Sequence, residues 1–202
     1  MIHPDSFLRF VHEEVGYGVF ANHDLPKGTL LWVRDDLDIS TSPGELAKMP
    51  AIYRALIEKY CFIDEFGQHV LCWDNGRSMN HSCDPAGRGY KQRFEIARRD
   101  IAAGEELTCE YAGLNITRGF ACACGSPECR KEISPKDFLS FEESWLNEAN
   151  HLISLIPLVP QPLWPFALSK TDDPAVLAAM KDVLPLSIPF VGEVGTGCWS
   201  LR

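Results

Sequence analysis

The sequence predicts a mostly β fold of the α+β class, with one helical insert and a helical C-terminal extension, on three observations. Short runs rich in β-branched and aromatic residues, bounded by Gly, Pro, Asn and Asp, recur through the first half of the chain. No strand–helix–strand alternation and no internal repeat accompanies them. Helical periodicity is confined to residues 42–60 and to the region after 134. At 202 residues, 46% hydrophobic and 23% charged, the chain has ordinary globular composition and length for one domain with a real core plus an appendage.

The elements follow in order. Residues 7 to 20 mix aromatic and β-branched residues with polar ones and run into Gly16-Tyr17-Gly18. Val19-Phe20-Ala21 and Thr29-Leu30-Leu31-Trp32-Val33 flank a Leu25-Pro26-Lys27-Gly28 turn and read as strand, turn, strand. Gly16-x-Gly18-x-x-Ala21, with Asp35 and Asp36 about twenty residues on, also fits a relaxed dinucleotide fingerprint. That fingerprint needs a helix to start inside it, and Pro26 and Gly28 break one within a turn or two.

Ser42-Pro43-Gly44-Glu45 is a capping box with proline at the first helical position. Leu46, Met49, Ile52, Tyr53, Leu56, Ile57 and Tyr60 then recur at helical spacing, with Pro50 kinking or splitting the segment. Cys61-Phe62-Ile63, Asp64-Glu65-Phe66-Gly67 and His69-Val70-Leu71-Cys72-Trp73 read as a hairpin. Arg93 to Arg98 alternates in strand fashion, and Asp100 to Glu105 is a turn before a final strand, Leu107 to Tyr111. Ser134-Pro135-Lys136-Asp137 caps a helix towards Ala149 or Ile156, with Phe138, Phe141, Trp145, Leu146 and Leu152 on its apolar face. Pro157, Pro160, Pro162 and Pro165 predict an extended, irregular stretch. Asp173-Pro174 starts a short helix to about Leu184, and the Gly-rich end is expected to fray.

A formal charge of -9 and a pI near 5.1 give a surface field that repels nucleic acid and attracts cationic partners. Direct nucleic-acid binding is therefore not expected, and a protein partner with a Lys-containing, basic segment is. There is no run of 18 apolar residues and no basic stretch followed by an apolar one at the N-terminus, so neither a membrane span nor a signal peptide is expected. The expected compartment is intracellular and reducing, cytoplasm or nucleus, where eight cysteines read better as metal ligands and buried thiols than as four disulfides.

The chemistry concentrates in three stretches. Arg77-Ser78-Met79-Asn80-His81-Ser82-Cys83-Asp84-Pro85 packs an amide, an imidazole and a thiol into adjacent positions, too much polar chemistry for a strand that only fills a core. Gly104-Glu105-Glu106-Leu107-Thr108-Cys109-Glu110-Tyr111 ends on a tyrosine. Cys122-x-Cys124-x4-Cys129 offers three thiolates in a tight loop, and a structural zinc needs a fourth ligand. Buried or disulfide-bonded cysteines are the alternative reading. Cys61, Cys72, Cys109 and Cys198 read as ordinary core or surface thiols.

Together with Gly16-Tyr17-Gly18-Val19-Phe20-Ala21, and in this order, these stretches resemble a SET-domain protein-lysine methyltransferase with a cysteine-rich post-SET tail, over roughly residues 10 to 131. The resemblance implies a SET-domain β-clip with a knot-like core over 1–118, a helical insert at about 42–60 and a post-SET zinc loop over 119–133. Residues 134–202 remain a helical, Pro-rich extension without a catalytic motif. It implies S-adenosyl-L-methionine as methyl donor and the ε-amine of a lysine on a protein, histone or other, as acceptor. It makes Cys83 the fourth ligand of a Zn2+ held by Cys122, Cys124 and Cys129.

The site roles come from the same resemblance. The Asn80 side chain and the backbone around Asn80-His81 hold the methyl donor, with His81 a buried strut in place of a general base. Gly16, Tyr17 and Gly18 supply backbone groups close to it, since only glycine lets the main chain approach so nearly. Arg77 stands where a basic residue often precedes the motif, although a surface salt bridge accounts for it equally. Tyr111 is the catalytic residue and a further cofactor contact, and Tyr60 is a channel-lining partner that fits helix packing equally well. Ala86, Glu110 and Lys131 depart from the commoner Asn, Asp and Gly, and none of these changes removes a ligand or the tyrosine.

Methyl transfer from a sulfonium needs a neutral amine. A lysine with pKa near ~10.4 is only about one part in a thousand neutral at pH ~7.4, which sets a gap of ~4 kcal/mol. Desolvation and a facing positive charge both lower that pKa. A tyrosine hydroxyl with pKa near ~10 suits an orienting hydrogen bond better than a strong base. The rival reading is a catalytically weak, SET-like zinc module that binds protein partners. Intact Gly16-x-Gly18, Asn80-His81 and Tyr111 favour the enzyme.

Overall fold

The computed structural model describes residues 1–168 together with 174, 177 and 178. The helix expected from Asp173 to about Leu184, apart from those three positions, and Cys198 lie outside the described residues. In chain order the elements are β1 (Ser6–His12), β2 (Gly16–Ala21), β3 (Leu30–Val33), β4 (Ile39–Thr41), α1 (Pro43–Lys48), α2 (Ala51–Tyr60), β5 (Cys61–Ile63) and β6 (His69–Leu71). There follow β7 (Asn80–His81), β8 (Gly87–Tyr90), β9 (Phe94–Ala97), β10 (Thr108–Cys109), β11 (Phe120–Ala121), β12 (Glu132–Ile133), α3 (Pro135–Ile153) and α4 (Trp164–Leu168).

Small sheets dominate. β1 and β2 form an antiparallel hairpin, turned by Gly16 at φ +85°, which a residue with a Cβ enters only under strain. Gly16 to Ala21 is therefore strand, and no helix opens inside the glycine spacing, so the dinucleotide reading is excluded. β3 does not pair with β2 across the Leu25–Gly28 turn. It joins β9, which in turn pairs with β8. β4, β6 and β5 make a second three-stranded sheet that contains the expected hairpin. β7 runs parallel to β10, with Asn80 opposite Thr108 and His81 opposite Cys109. The expected final strand is short, because Glu110 caps a 3-10 turn that begins at Tyr111.

The insert forms as its capping box dictates. Ser42 Oγ accepts from the Glu45 N–H, Glu45 Oε2 accepts from the Ser42 N–H, and Pro50 splits the segment into α1 and α2. Only Leu46 and Ile57 of its apolar series are buried; Ile52, Tyr53 and Leu56 face outward.

The extension is part of the core. Ala149, Leu152, Ile153, Ile156, Leu163, Trp164 and Ala167 pack on Leu30, Val33, Tyr90, Phe94 and Ile96 of the β3–β9–β8 sheet. Each such large side chain contributes ~1.5–3 kcal/mol of burial. The proline stretch is not extended as expected. Pro157 sits in the first turn of a 3-10 helix at Ile156–Leu158 and Pro165 is the second residue of α4, positions where a missing N–H costs nothing. Buried Gln161 between them accepts from the Leu30 N–H at 2.9 Å and donates to the Gly28 carbonyl at 2.8 Å, which satisfies the edge of β3. On α3 the expected apolar face divides: Leu152 is buried, whereas Phe141 and Leu146 are exposed. No helix among the described residues is long and apolar enough to cross a membrane.

Candidate active site

The parallel pairing of β7 with β10 sets the two central motifs side by side, and hydrogen bonds then lock them. The Tyr111 N–H donates to His81 Nδ1 at 3.2 Å, which leaves the imidazole proton on Nε2. That nitrogen lies 3.4 Å from Cys83 Sγ, so the ring joins the tyrosine backbone to a sulfur. The His81 side chain is 5% exposed, and burial holds its pKa below the usual value against the pull of Glu110. His81 thus bridges the Tyr111 backbone and the Cys83 sulfur.

Four sulfurs cluster beside this ring. The Sγ atoms of Cys83, Cys122, Cys124 and Cys129 all lie within 4.8 Å of one another, and Cys83 and Cys122 are 3.8 Å apart. A tetrahedral zinc with Zn–S bonds of ~2.3 Å places its sulfurs ~3.8 Å apart. Backbone N–H groups point at the set: Cys83 N–H at Cys124 Sγ (3.4 Å) and Arg130 N–H at Cys83 Sγ (3.3 Å). Burial opposes ionisation of Cys124, yet the N–H groups of Cys83 and Ser126 outweigh it and hold this thiol at about 6. The donor set fits Zn2+. None of the seven described cysteines is in a disulfide, and Cys72 and Cys109 are buried in the core.

Asn80 reaches the other way. Its Nδ2 donates to Glu106 Oε1 at 2.7 Å and to the Tyr17 carbonyl at 3.2 Å. A Cβ at Gly18 would run into the Glu106 carboxylate and the Asn80 amide, so β2 lies against this pair only because residue 18 is glycine. The Tyr17 ring is exposed and edge-on to Phe10. Arg77 bonds the Trp73 carbonyl at 3.0 Å where a salt bridge was the competing account.

Tyr111 stands at the junction. Its hydroxyl donates to the Met79 carbonyl at 2.8 Å, and its ring packs against those of His81 and Phe120. Burial, then the charge of Glu106, pushes its pKa well above the ordinary phenol value, so the hydroxyl keeps its proton. The residue lines a cleft of about 830 Å3 whose walls include Tyr60, Arg77, Glu95, Cys109 and Trp145. Tyr60 and Tyr111 thus share one cleft, while Gly16, Tyr17, Gly18, Asn80 and His81 lie outside its walls.

Two partners escaped sequence reasoning. Arg130 Nη2 meets both Glu110 oxygens, at 2.8 and 2.7 Å, and its Nη1 lies 3.2 Å from Asp137 at the start of α3. This pair ties the cysteine loop to the segment bearing Tyr111. Its one local signal is a charge directly beside each candidate functional residue.

Residues 16–112 match the family model described as the SET domain. It is 39% identical over 138 residues to the histone-lysine N-methyltransferase ATX2 of Arabidopsis thaliana, covering 59% of this chain and 12% of that protein. It is 29% identical over 140 residues to the histone-lysine N-methyltransferase ash1 of Drosophila melanogaster, covering 63% and 6%. The chain therefore spans a small fraction of the length of these relatives. Among solved structures, KRYPTONITE in complex with mCHG DNA and SAH aligns at a TM-score of 0.42 and 20% identity, covering 62% of this chain and 29% of that one.

Proposed function

We propose that this chain is an S-adenosyl-L-methionine-dependent methyltransferase acting on the ε-amine of a lysine in a protein. The observation that carries this reading is the position of the Tyr111 hydroxyl, fixed on the Met79 carbonyl in a cleft wall, one residue from the strand pair that holds Asn80 and His81. The relatives named as histone-lysine N-methyltransferases support it, and make histones the first substrate to test. A net charge of -9 supports a basic protein segment, rather than nucleic acid, as partner. Four cysteines gathered as one candidate metal-ligand set support a reducing compartment, cytoplasm or nucleus.

The methyl donor would be held by the backbone of Gly16-Tyr17-Gly18 and by Asn80, where the missing Cβ at residue 18 leaves a close approach between β2 and the Asn80 amide. When bound, it supplies an electrophilic methyl on sulfur. Asn80 braces the Tyr17 carbonyl, and His81 fixes the Tyr111 backbone. The Tyr111 hydroxyl remains protonated and acts as an orienting dipole at the mouth of the donor site. The loop from Cys122 to Cys129 would be fastened to Cys83 by zinc, so that metal binding and closure beside Tyr111 are one event.

Two measurements test this. S-adenosylhomocysteine at millimolar concentration should raise the melting temperature. Tyr111→Phe should lose ~100-fold or more in methylation of core histones or lysate protein with labelled donor, and keep the S-adenosylhomocysteine shift. No shift in the wild type, or unchanged turnover by Tyr111→Phe, would overturn the assignment.

A further inference from the structure

One buried carboxylate has no place in this scheme. Glu95 on β9 is 6% exposed, and its Oε2 is fully enclosed without a hydrogen-bond partner. Leaving such a group unpaired is costly and calls for an explanation. The surroundings are shaped to it. A Cβ on Gly87 would lie 2.8 Å from Oε2, and one on Gly89 would lie 2.9 Å from Oε1, so two glycines of β8 vacate the space that the carboxylate fills. Gly89 is exposed and, like Glu95, lines the cleft that Tyr60 and Tyr111 line. The carboxylate thus faces the cleft across a residue without a side chain.

We propose that Glu95 holds the ammonium of the incoming lysine in this cleft and takes its proton. The inference rests on the lysine-methyltransferase reading above. Tyr111 cannot serve, because its hydroxyl stays protonated and already donates to Met79. At Glu95 an N–H bond of the ammonium breaks and an O–H bond forms on the carboxylate, leaving the lone pair on nitrogen. As the N–C bond forms, the methyl's bond to sulfur breaks and its electron pair stays on sulfur. The nitrogen, cationic again, and Glu95 then each release a proton to water.

The groups facing Glu95 set its readiness. Burial raises its pKa to about 8; Arg88 on β8 pulls it down, and Glu110 pushes it up. Cys109 on β10 stays a neutral thiol beside it. Arg88 is itself engaged by Glu148 of α3 at 2.7 Å, which leaves Glu95 an incompletely neutralised neighbour.

The test uses the full chain labelled with carboxyl-13C glutamate and n-butylammonium as a stand-in for the lysine side chain. The Glu95 resonance, identified by its loss in Glu95→Gln, should titrate near 8 and move down by about one unit with n-butylammonium, a ~10-fold preference of the cation for the ionised form. n-Butanol should leave it in place. Gly89→Ala should abolish the response while the raised midpoint remains, and it serves alone if Glu95→Gln fails to fold.

Stability gives a second reading. The folded pKa lies above the unfolded value of 4.5, so the unfolded state binds fewer protons between 4.5 and about 8 and wild-type stability falls as pH rises through that window. Glu95→Gln should lose this fall. A Glu95 midpoint near 4.5, or one indifferent to n-butylammonium, overturns the proposal. If the wild type nevertheless binds S-adenosylhomocysteine and methylates protein, the methyltransferase reading stands without Glu95. If the carboxylate responds and the donor does not bind, the reverse holds.

Discussion

Around Cys83 the polar groups find partners from distant segments: His81 and the Arg130 N–H on its sulfur, Arg130 on Glu110, Glu110 on the Ala112 N–H. Around Glu95, one core away, a carboxylate is buried with an oxygen that meets nothing, in space that two glycines leave open. The first region is a polar network whose members hold one another in place and leave one nitrogen, Arg130 Nε, without a partner, and the second is a carboxylate whose orphaned oxygen no neighbour ties down, kept at a cost in stability. Networks of the first kind build a site, and gaps of the second kind await something that arrives with the substrate.

The comparison breaks most violently if the sulfurs are emptied. The purified chain should carry one zinc, and a strong chelator or Cys83→Ser should unfold the loop from Phe120 to Ile133 and cost several kcal/mol, since thiolate zinc sites in peptides are worth ~10–16 kcal/mol. Metal analysis and a melting curve read this directly. A metal-free protein of unchanged melting temperature would make the cluster an ordinary group of buried thiols. The next effect is that of stranding a charge. Arg130→Met leaves Glu110 buried without its cation and should cost ~3–5 kcal/mol in denaturant unfolding, whereas adding Glu110→Gln should restore most of it. Additive losses would mean that the two residues act separately.

How far each region was legible follows from the range of its interactions. In the sulfur seam, three of the four sulfurs could be read because the spacing Cys122-x-Cys124-x4-Cys129 is local, whereas Cys83, 39 residues before Cys122, came only from the resemblance to the family. Its fastening by Arg130 and Glu110 could not, since the two are twenty residues apart and each reads alone as a surface charge. Glu95 was hidden by alternation. Within Arg93 to Arg98 it counts as a polar residue on the outer face of a strand, but β9 is central between β3 and β8 and all four of its residues are buried.

On α3 the helical spacing was right and the burial was not. Arg88 lies over the Trp145 ring at 5.0 Å and Arg130 over Phe141 at 5.5 Å, so the aromatic stretch meets cations while Ala149, Leu152 and Ile153 meet the sheet. The proline run misled for a related reason. Each proline was read as excluding helix, although Pro157 and Pro165 occupy first-turn positions that tolerate it.

The smallest effect tests where the cleft wall begins. Tyr60 closes α2, half-buried, with Lys59 Nζ 5.0 Å from its ring centroid, and it lines the cleft shared by Glu95 and Tyr111. If its ring only packs, Tyr60→Phe keeps the ring and should change stability by no more than ~0.5 kcal/mol and turnover hardly at all. If its hydroxyl helps to steer the amine, the same change should lower kcat/KM by ~5–10-fold, the worth of one ordinary hydrogen bond of ~1–1.5 kcal/mol, with stability still unmoved. The channel role assigned to Tyr60 predicts the second pattern, and it predicts more. Because a steering hydroxyl and a proton-accepting carboxylate would act on the same nitrogen, Tyr60→Phe combined with Glu95→Gln should depart from additivity, whereas a packing residue at the end of α2 should simply add.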